Sequence, residues 1–428
     1  MAKKYLIDGG YQLKGSIKPN GNKNAALPVI AASLLTDEEV ILRNIPDIED
    51  VRMMFEIAKQ LGAEVTKIEK NAYKIKGSIS NFSINPEVGK KIRASILFAG
   101  PLLARVGTAE LPPPGGDVIG RRRLDTHFLA FQELGSGINT GNKDFIRLTA
   151  GRLLGKEILL DEASVTGTEN IVMSAVMADG ETVVTNAACE PHVQDLCNML
   201  NKMGADISGI GSNVLRIRGV KKLSGCDFTI GSDFMEVGSL IGLAAVTGSE
   251  IEIKEAQPEN LKMTKLVFGK LGITWDNPDN NIIIPKHQEL RVKTDLGGMV
   301  PKIDDSPWPG FPPDLMSIAI VTATQIDGTV LFFEKMFESR MFFVDKLISM
   351  GANIILCDPH RAVVTGKTKL KGSELTSPDI RAGMALLIAS LCAEGKSTIY
   401  NVGQIERGYE NLPERLRELG AKIEVIED

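Results

Sequence analysis

The chain has no apolar run of the roughly 18 residues that a membrane-spanning helix needs. Its start, MAKKYLIDGGYQLKG, carries two lysines with no hydrophobic stretch behind them. Neither a spanning segment nor a secretory leader is therefore expected, and the reading is of a soluble, cytoplasmic protein that does not engage a membrane. Cysteine is scarce: Cys189, Cys197, Cys226, Cys357 and Cys392 form no CxxC pair and no metal-ligand spacing. Such a scatter reads as reduced, mostly buried thiols rather than a disulfide framework. The four histidines show no metal spacing either, so no metal and no organic cofactor is expected. Aromatics amount to 5% and the formal net charge is -5. That balance argues against nucleic acid as a partner, which would ask for a basic domain.

What the chain does have is length and repetition. At 428 residues it exceeds one ordinary core, so two or three domains are expected. A helix closing on a glycine and followed by a short strand recurs six times, at KQLGAEV, QELGSGI, NKMGADI, GKLGITW, ISMGANI and RELGAKI. The glycines are Gly62, Gly135, Gly204, Gly272, Gly351 and Gly420, spaced by 73, 69, 68, 79 and 69 residues. Each sits where a helix C-cap needs positive φ. Upstream of each cap lies an apolar stretch, a polar or Gly turn and a strand, as in EVGSLIGLAAVTGSEIEIKEA and AGMALLIASLCAEGKSTIYNV. These stretches are apolar nearly all round, which predicts wholly buried helices, and their Ala, Gly and Ser let them approach closely. Each repeat thus reads as strand, buried helix, strand, amphipathic helix, strand. Six copies fit two closed domains of three repeats, with helices inside and sheets outside. A solenoid is the alternative, although repeats of 20 to 50 residues are usual there. The longest interval holds QELRVKTDLGGMVPKIDDSPWPGFPPD, a Pro- and Gly-rich insertion of the kind that is usually functional.

Several buried helices open on positive or polar residues: Lys23 and Asn24, Arg93 and Ser95, Ser164 to Thr168, and Arg381. Helix N-termini favour anions through free N–H groups and the dipole, so cations there make sites for phosphate and carboxylate. Taken singly, each also reads as a solvated helix-start residue. Residues 111 to 127, LPPPGGDVIGRRRLDTH, read as a mobile loop with Asp117 at its tip. Its arginines Arg121, Arg122 and Arg123 are an anion clamp or a solvated run.

Nine segments in order, GNKNAALP, RASILFAGPLLAR, PPGGDVIG with RRRLDTH, ASVTGTEN, ACEPHVQDL, SPWPGFPPD, FESRM, PDIRAG and IERGYENL, give the chain a specific likeness. It resembles, over essentially its whole length, the family of UDP-N-acetylglucosamine enolpyruvyl transferases. The resemblance implies an α/β fold, a two-domain inside-out barrel of six βαβαββ-type repeats. It places residues 23–231 in one domain, and 1–22 with 232–428 in the other, with the active site in the cleft between. The implied reaction moves enolpyruvyl from phosphoenolpyruvate to the 3-hydroxyl of UDP-N-acetylglucosamine and releases phosphate, the first committed step of peptidoglycan synthesis. Lys23, Arg122 and Arg407 are then the phosphate-binding cations, and Arg340 and Arg381 the partners of the donor carboxylate. Asn24, Arg93, Arg122, Arg123, Leu124, Asp125, His127, Ser164, Val165, Thr166, Asp314 and Met336 are implied on the UDP-sugar. Fixed cations between a trianionic donor and a dianionic acceptor offset the repulsion between them.

The sequence departs from the family at the loop tip, where PGGDVIG has Asp117 in place of the usual cysteine. Asp117 is read as the acid that protonates C3 of phosphoenolpyruvate, with Asp314 taking the proton from the sugar hydroxyl; Lys23 and Arg407 complete the implied catalytic set. A free Asp titrates near pH ~3.9, so raising it by about 3 units needs about 4 kcal/mol of preference for the neutral form. A salt bridge from Asp117 to Arg121 or Arg123 is the competing reading. Smaller departures are Asn22 before Lys23, Arg123 for a usual Pro, Thr166-Gly167, and Phe234 for a common Arg. Trp275 is expected in packing, and Trp308 either in packing or beside the substrates. The rival functions are a related transferase acting on shikimate 3-phosphate, and a non-catalytic UDP-sugar-binding regulator.

Overall fold

A computed structural model of the chain describes residues 3–116, 123–141, 143–286 and 288–427. Asp117, Arg121 and Arg122 lie outside the described residues. The chain divides into two compact units, one of Met1–Asn20 with Ser232–Asp428, the other formed by the described residues from Gly21 to Gly231. Each unit has its own apolar cluster.

Six helices form at the apolar stretches, although in the second of them Ala104 and Arg105 are only half-buried and Val106 is exposed. They are α1 (Lys23–Ala32), α2 (Ala99–Val106, entered through the 3₁₀ segment Arg93–Phe98), α3 (Val165–Ala175), α4 (Phe234–Val246), α5 (Met316–Ala323) and α6 (Ile380–Cys392). All eight residues of α5 are buried, and no polar stripe remains to face water. In the second unit named, α2 packs on α3; in the first, α4, α5 and α6 pack on one another in pairs. Small residues permit that approach: a Cβ on Gly238 would lie 2.8 Å from the Leu315 methyls, and one on Gly242 2.9 Å from Ile318. An amphipathic helix follows each, and the six predicted cap glycines all adopt positive φ, between 79° and 112°. At Gly62 a Cβ would also meet the Ser78 carbonyl at 2.4 Å.

Among the described residues each unit carries three sheets, most of them on one pattern, the three-stranded sheet of Thr108–Leu111, Ile146–Thr149 and Gly137–Asn139 being antiparallel throughout. Strand Glu157–Leu159 runs parallel to Glu181–Thr185, which pairs antiparallel with Val214–Arg218, and that with Asp206–Ser208. Lys302–Asp304, Gly328–Phe333, Arg361–Gly366 and Ile354–Asp358 repeat it, as do Glu374–Thr376, Lys396–Tyr400, Lys3–Asp8 and Lys422–Glu427. A parallel pair needs a crossover, and the buried helix supplies it. One crossover is exceptional. Lys14–Ile17 pairs in parallel with Glu250–Ile253, and the whole of the other unit is inserted between Ile17 and α4 of that connection.

The insertion after Gly272 is not a structureless loop. It contributes strand Lys302–Asp304 to a sheet and single bridges at Arg291 and Asp295. Trp275 is buried against Phe268, ring centroids 6.5 Å apart. Trp308 also packs, half-buried against Phe234 at 5.7 Å, so the bulky residue that departs from the family pattern is a core contact. Among the described residues no helix is long and apolar enough to cross a membrane.

Candidate active site

In the unit of residues 21–231, the expected site residues gather at helix starts. Asn22, which differs from the family pattern, is the N-cap of α1: its side chain accepts the Ala25 amide at 3.1 Å, satisfying an orphan donor. Lys23 follows as the first helical residue, and its buried ammonium meets the Asp50 carboxylate at 2.5 Å. Asp50 lies in the first turn of the amphipathic helix Glu49–Gln60. Asn24 is half-buried beside it.

Ser164 caps α3 by accepting the Gly167 amide at 3.2 Å, which places Val165 and Thr166 in the first turn. Thr166 meets His127, on the helix Asp125–Glu133, at 3.1 Å from Nε2. The tautomer follows from Asn170. Its Oδ1 accepts the Gly100 amide at 3.0 Å, so its Nδ2 donates to the Ile96 carbonyl at 3.0 Å and to His127 Nδ1 at 2.9 Å. Nδ1 is therefore the acceptor and Nε2 carries the proton toward Thr166. Burial, helped by the nearby Arg93 charge, pushes the imidazole down to about 3. His127 is a neutral positioning group that fixes the Thr166 hydroxyl.

Arg93 donates from Nη2 to the Arg123 carbonyl at 2.9 Å, and Arg123 lies 3.8 Å from Asp125. Leu124 is the residue before that helix and packs on the apolar cluster. The chain approaching the loop tip is pressed against the same segment. A Cβ on Gly115 would sit 1.8 Å from the Lys90 carbonyl, so only glycine fits there.

In the unit of residues 232–428, three expected residues come together. Asp314, in the 3₁₀ turn Pro313–Leu315, accepts from Arg340 Nη2 at 2.6 Å and from Arg381 Nε at 3.0 Å. Burial alone would raise the Asp314 carboxyl, but Arg381 and Arg340 together hold it well below the usual carboxylate range. Arg381 is the second residue of α6, whose N-cap Asp379 accepts the amides of Arg381 and Ala382 at 2.8 and 2.9 Å. Its Nη1 donates to the Tyr409 hydroxyl at 3.2 Å, which meets Ser239 at 3.3 Å. Arg340 stacks over the Phe337 ring at 4.9 Å, and its Nε is buried with no acceptor among the described residues. Met336 is 39% exposed three residues before a turn entered at Ser339. Arg407 closes the short helix Gly403–Glu406 and donates to Gln404 at 3.1 Å.

The sequence reading missed the partners: Asp50 for Lys23, Tyr409 for Arg381, and Asn170 for His127. Asn170 stands inside the quoted ASVTGTEN motif and Tyr409 inside IERGYENL, whereas Asp50 gave no signal short of the fold. The reading of Asp314 as a proton acceptor meets a resting arrangement in which it is the shared counter-ion of two arginines. Among the described residues no cluster of three His, Cys, Asp or Glu could hold a metal ion.

Comparison with known proteins extends the geometry. The model of the EPSP synthase (3-phosphoshikimate 1-carboxyvinyltransferase) family matches residues 7–416. Among solved structures, the enolpyruvyl transferase NikO from Streptomyces tendae superposes with a TM-score of 0.88 at 22% identity, 99% of each chain covered. An EPSP synthase from Acinetobacter baumannii gives 0.77 at 18% identity over 100% of both chains. These likenesses define the enolpyruvyl transferase fold. Sequence relatives narrow it further. The UDP-N-acetylglucosamine 1-carboxyvinyltransferase of Treponema denticola is 60% identical over 425 residues, 99% of each chain. Those of Borreliella burgdorferi and Bradyrhizobium diazoefficiens are 59% and 54% identical, covering 99% of this chain and 99% and 98% of theirs. The chain belongs to the UDP-N-acetylglucosamine 1-carboxyvinyltransferase family and is a transferase.

Proposed function

We propose that the protein transfers the enolpyruvyl group of phosphoenolpyruvate to the 3-hydroxyl of UDP-N-acetylglucosamine, releasing phosphate, at the entry to peptidoglycan synthesis in the cytoplasm. The observation that carries this is the 60% identity over 99% of the chain to a relative bearing that name. Arg340 and Arg381 take the donor carboxylate, a role supported by the buried Arg340 Nε that meets no acceptor among the described residues. Lys23, Arg122 and Arg407 take its phosphate. The acceptor lies on Asn24, Arg93, Arg123, Leu124, Asp125, His127, Ser164, Val165, Thr166 and Met336, with its 3-hydroxyl at Asp314.

In the reaction C3 of phosphoenolpyruvate gains a proton from Asp117 and the sugar oxygen adds to C2, its own proton passing to Asp314. Collapse of that adduct breaks the C2–O bond to phosphate and returns a C3 proton to the Asp117 carboxylate, restoring the double bond. A donor carboxylate entering between the arginines competes with Asp314 for them. Asp314 then loses the cations that depress it and gains basicity where the hydroxyl needs a base.

The test is phosphate release from phosphoenolpyruvate with UDP-N-acetylglucosamine, with shikimate 3-phosphate run in parallel. Release with the UDP-sugar alone is expected. Release with shikimate 3-phosphate alone, or with neither despite tight UDP-sugar binding, overturns the proposal.

A further inference from the structure

Two buried acids stand behind the segment that carries Met336 and Arg340, and the reaction uses neither. Asp305 follows strand Lys302–Asp304, and Glu334 follows strand Gly328–Phe333; the two strands are parallel, with Asp304 opposite Phe333. Both acids are 0% exposed. Together they take three successive backbone amides. Asp305 accepts from Lys335 through Oδ1 at 2.5 Å and from Met336 through Oδ2 at 3.3 Å, and Glu334 Oε1 accepts from Phe337 at 3.2 Å. The Glu334 backbone is pinned as well: its amide donates to the His360 carbonyl at 2.8 Å, and its carbonyl lies 2.7 Å from His360 Nδ1.

The second Glu334 oxygen, Oε2, is buried and meets no donor among the described residues. The Glu334 carboxyl interacts with the Asp305 side chain, whose two oxygens both accept backbone amides. Two acceptors in contact form a hydrogen bond only when one of them carries a proton. The unpaired alternative would set two ionised carboxylates side by side in a dry interior, which like-charge repulsion and desolvation both oppose.

We propose that Asp305 and Glu334 act as one positioning pair, Glu334 protonated and donating to the Asp305 carboxylate, and that this pair sets the segment presenting Met336 and Arg340. The coupling runs through Phe337. Glu334 holds its amide, its ring supports the Arg340 guanidinium, and Arg340 donates to Asp314. Burial first, then Asp305, push the Glu334 carboxyl up to about 9, against the opposing Arg340 charge. The nearby Lys335 and Lys302 turn to Asp304, at 2.8 and 3.0 Å. His360, in the turn between Ile354–Asp358 and Arg361–Gly366, faces the Glu334 backbone.

The inference rests on the reading of Arg340 as a donor-binding residue, and its test separates the two. Glu334→Gln keeps a donor toward Asp305 without a titrating proton, and Glu334→Ala removes it. At neutral pH, Glu334→Gln is expected within about threefold of wild type in kcat/KM, while Glu334→Ala raises KM for phosphoenolpyruvate about tenfold, the equivalent of about 1.4 kcal/mol, with a smaller change in kcat. The wild type loses kcat/KM as pH rises through about 9, and Glu334→Gln does not. An equal alkaline fall in both, or Glu334→Gln as impaired as Glu334→Ala, overturns the pair.

A second arm needs no substrate and so stands even if no variant, wild type included, releases phosphate. A carboxyl raised on folding gives stability that is full below its unfolded value of about 4.3 and is lost as pH rises toward its folded value. The thermal midpoint of the wild type is therefore expected to fall relative to Glu334→Gln across that window. A gap that stays constant overturns the shared proton.

Discussion

Replacing Asp314 by Asn tests the central contact of the site. The Asp314 carboxylate is 21% exposed and bridges two arginines whose side chains are 10% and 7% exposed. Asparagine keeps the shape, but its one oxygen can serve one arginine while its NH₂ faces the other, donor against donor. Breaking a buried ion pair from one side costs about 3–5 kcal/mol, and the partial exposure of Asp314 places the expectation near the lower end. With a urea slope of roughly 3 kcal/mol per M, a loss of ~3 kcal/mol lowers the unfolding midpoint by about 1 M. The pH dependence has a definite sign. Because the arginines hold Asp314 well below the usual carboxylate range, its contribution is full above the unfolded value of about 3.9 and fades as pH falls through the folded one. The gap between wild type and Asp314→Asn is thus flat from neutral pH down to about pH 5, and closes only under stronger acid. Phosphoenolpyruvate should narrow it too, since a bound anion restores charge between the arginines. A midpoint shift below ~0.3 M at an unchanged slope, or a gap that widens on acidification, refutes the counter-ion reading.

The family resemblance implies that the epoxide fosfomycin alkylates the loop cysteine, so with Asp117 at that position, a carboxylate being a far poorer nucleophile than a thiolate, the protein is expected to escape inactivation; a time-dependent covalent adduct would contradict this. Asp117→Asn is expected to abolish the fast phase of turnover in pre-steady-state mixing, and a wild-type rate would remove Asp117 from catalysis. Arg415→Met leaves the buried Glu236, which accepts Arg415 at 2.5 Å and the Asn20 amide at 3.0 Å, without its cation. Burial already raises Glu236 and Arg415 opposes that rise, so the variant's deficit should open only above the wild type's own raised Glu236 value and then grow with pH by up to about 1.4 kcal/mol per unit; a deficit equal at acid and alkaline pH refutes it. A thiol reagent should label the exposed Cys357 first, since burial pushes Cys197 and Cys392 up to about 12, and mass spectrometry showing Cys197 labelled in the folded protein at the same rate would refute that order.

The features legible in the sequence were the local ones. A cap glycine announces itself because positive φ is a property of one residue, and all six predicted positions adopt it. The buried helices were legible because α4 and α6 leave no polar stripe to face water. The sheet pattern was only partly legible: Lys302–Asp304 is a strand inside a Pro-rich insertion, where composition reads as loop, and its partner lies beyond α5. What stayed hidden were pairings over long separations. Lys23 and Asp50 are joined by α1 packing on the helix Glu49–Gln60. Asp305 and Glu334 meet only because two parallel strands end together. No periodicity in the chain encodes either contact.

Those hidden acids change how the expected cations work. A buried guanidinium without a partner costs several kcal/mol, so an open site lined with bare arginines would not be stable. Here Asp50 sits against Lys23, and Asp314 against Arg340 and Arg381. Under the proposed function a substrate anion would bind there by exchange, replacing a carboxylate already in place, and its affinity would be the difference between two charged contacts rather than the full strength of one. The exchange also has a chemical product. A carboxylate that loses its cations becomes a stronger base, and on the proposed reading Asp314 would do so when a donor carboxylate arrives. On that reading one contact would both stabilise the resting protein and withhold the base until the donor is bound.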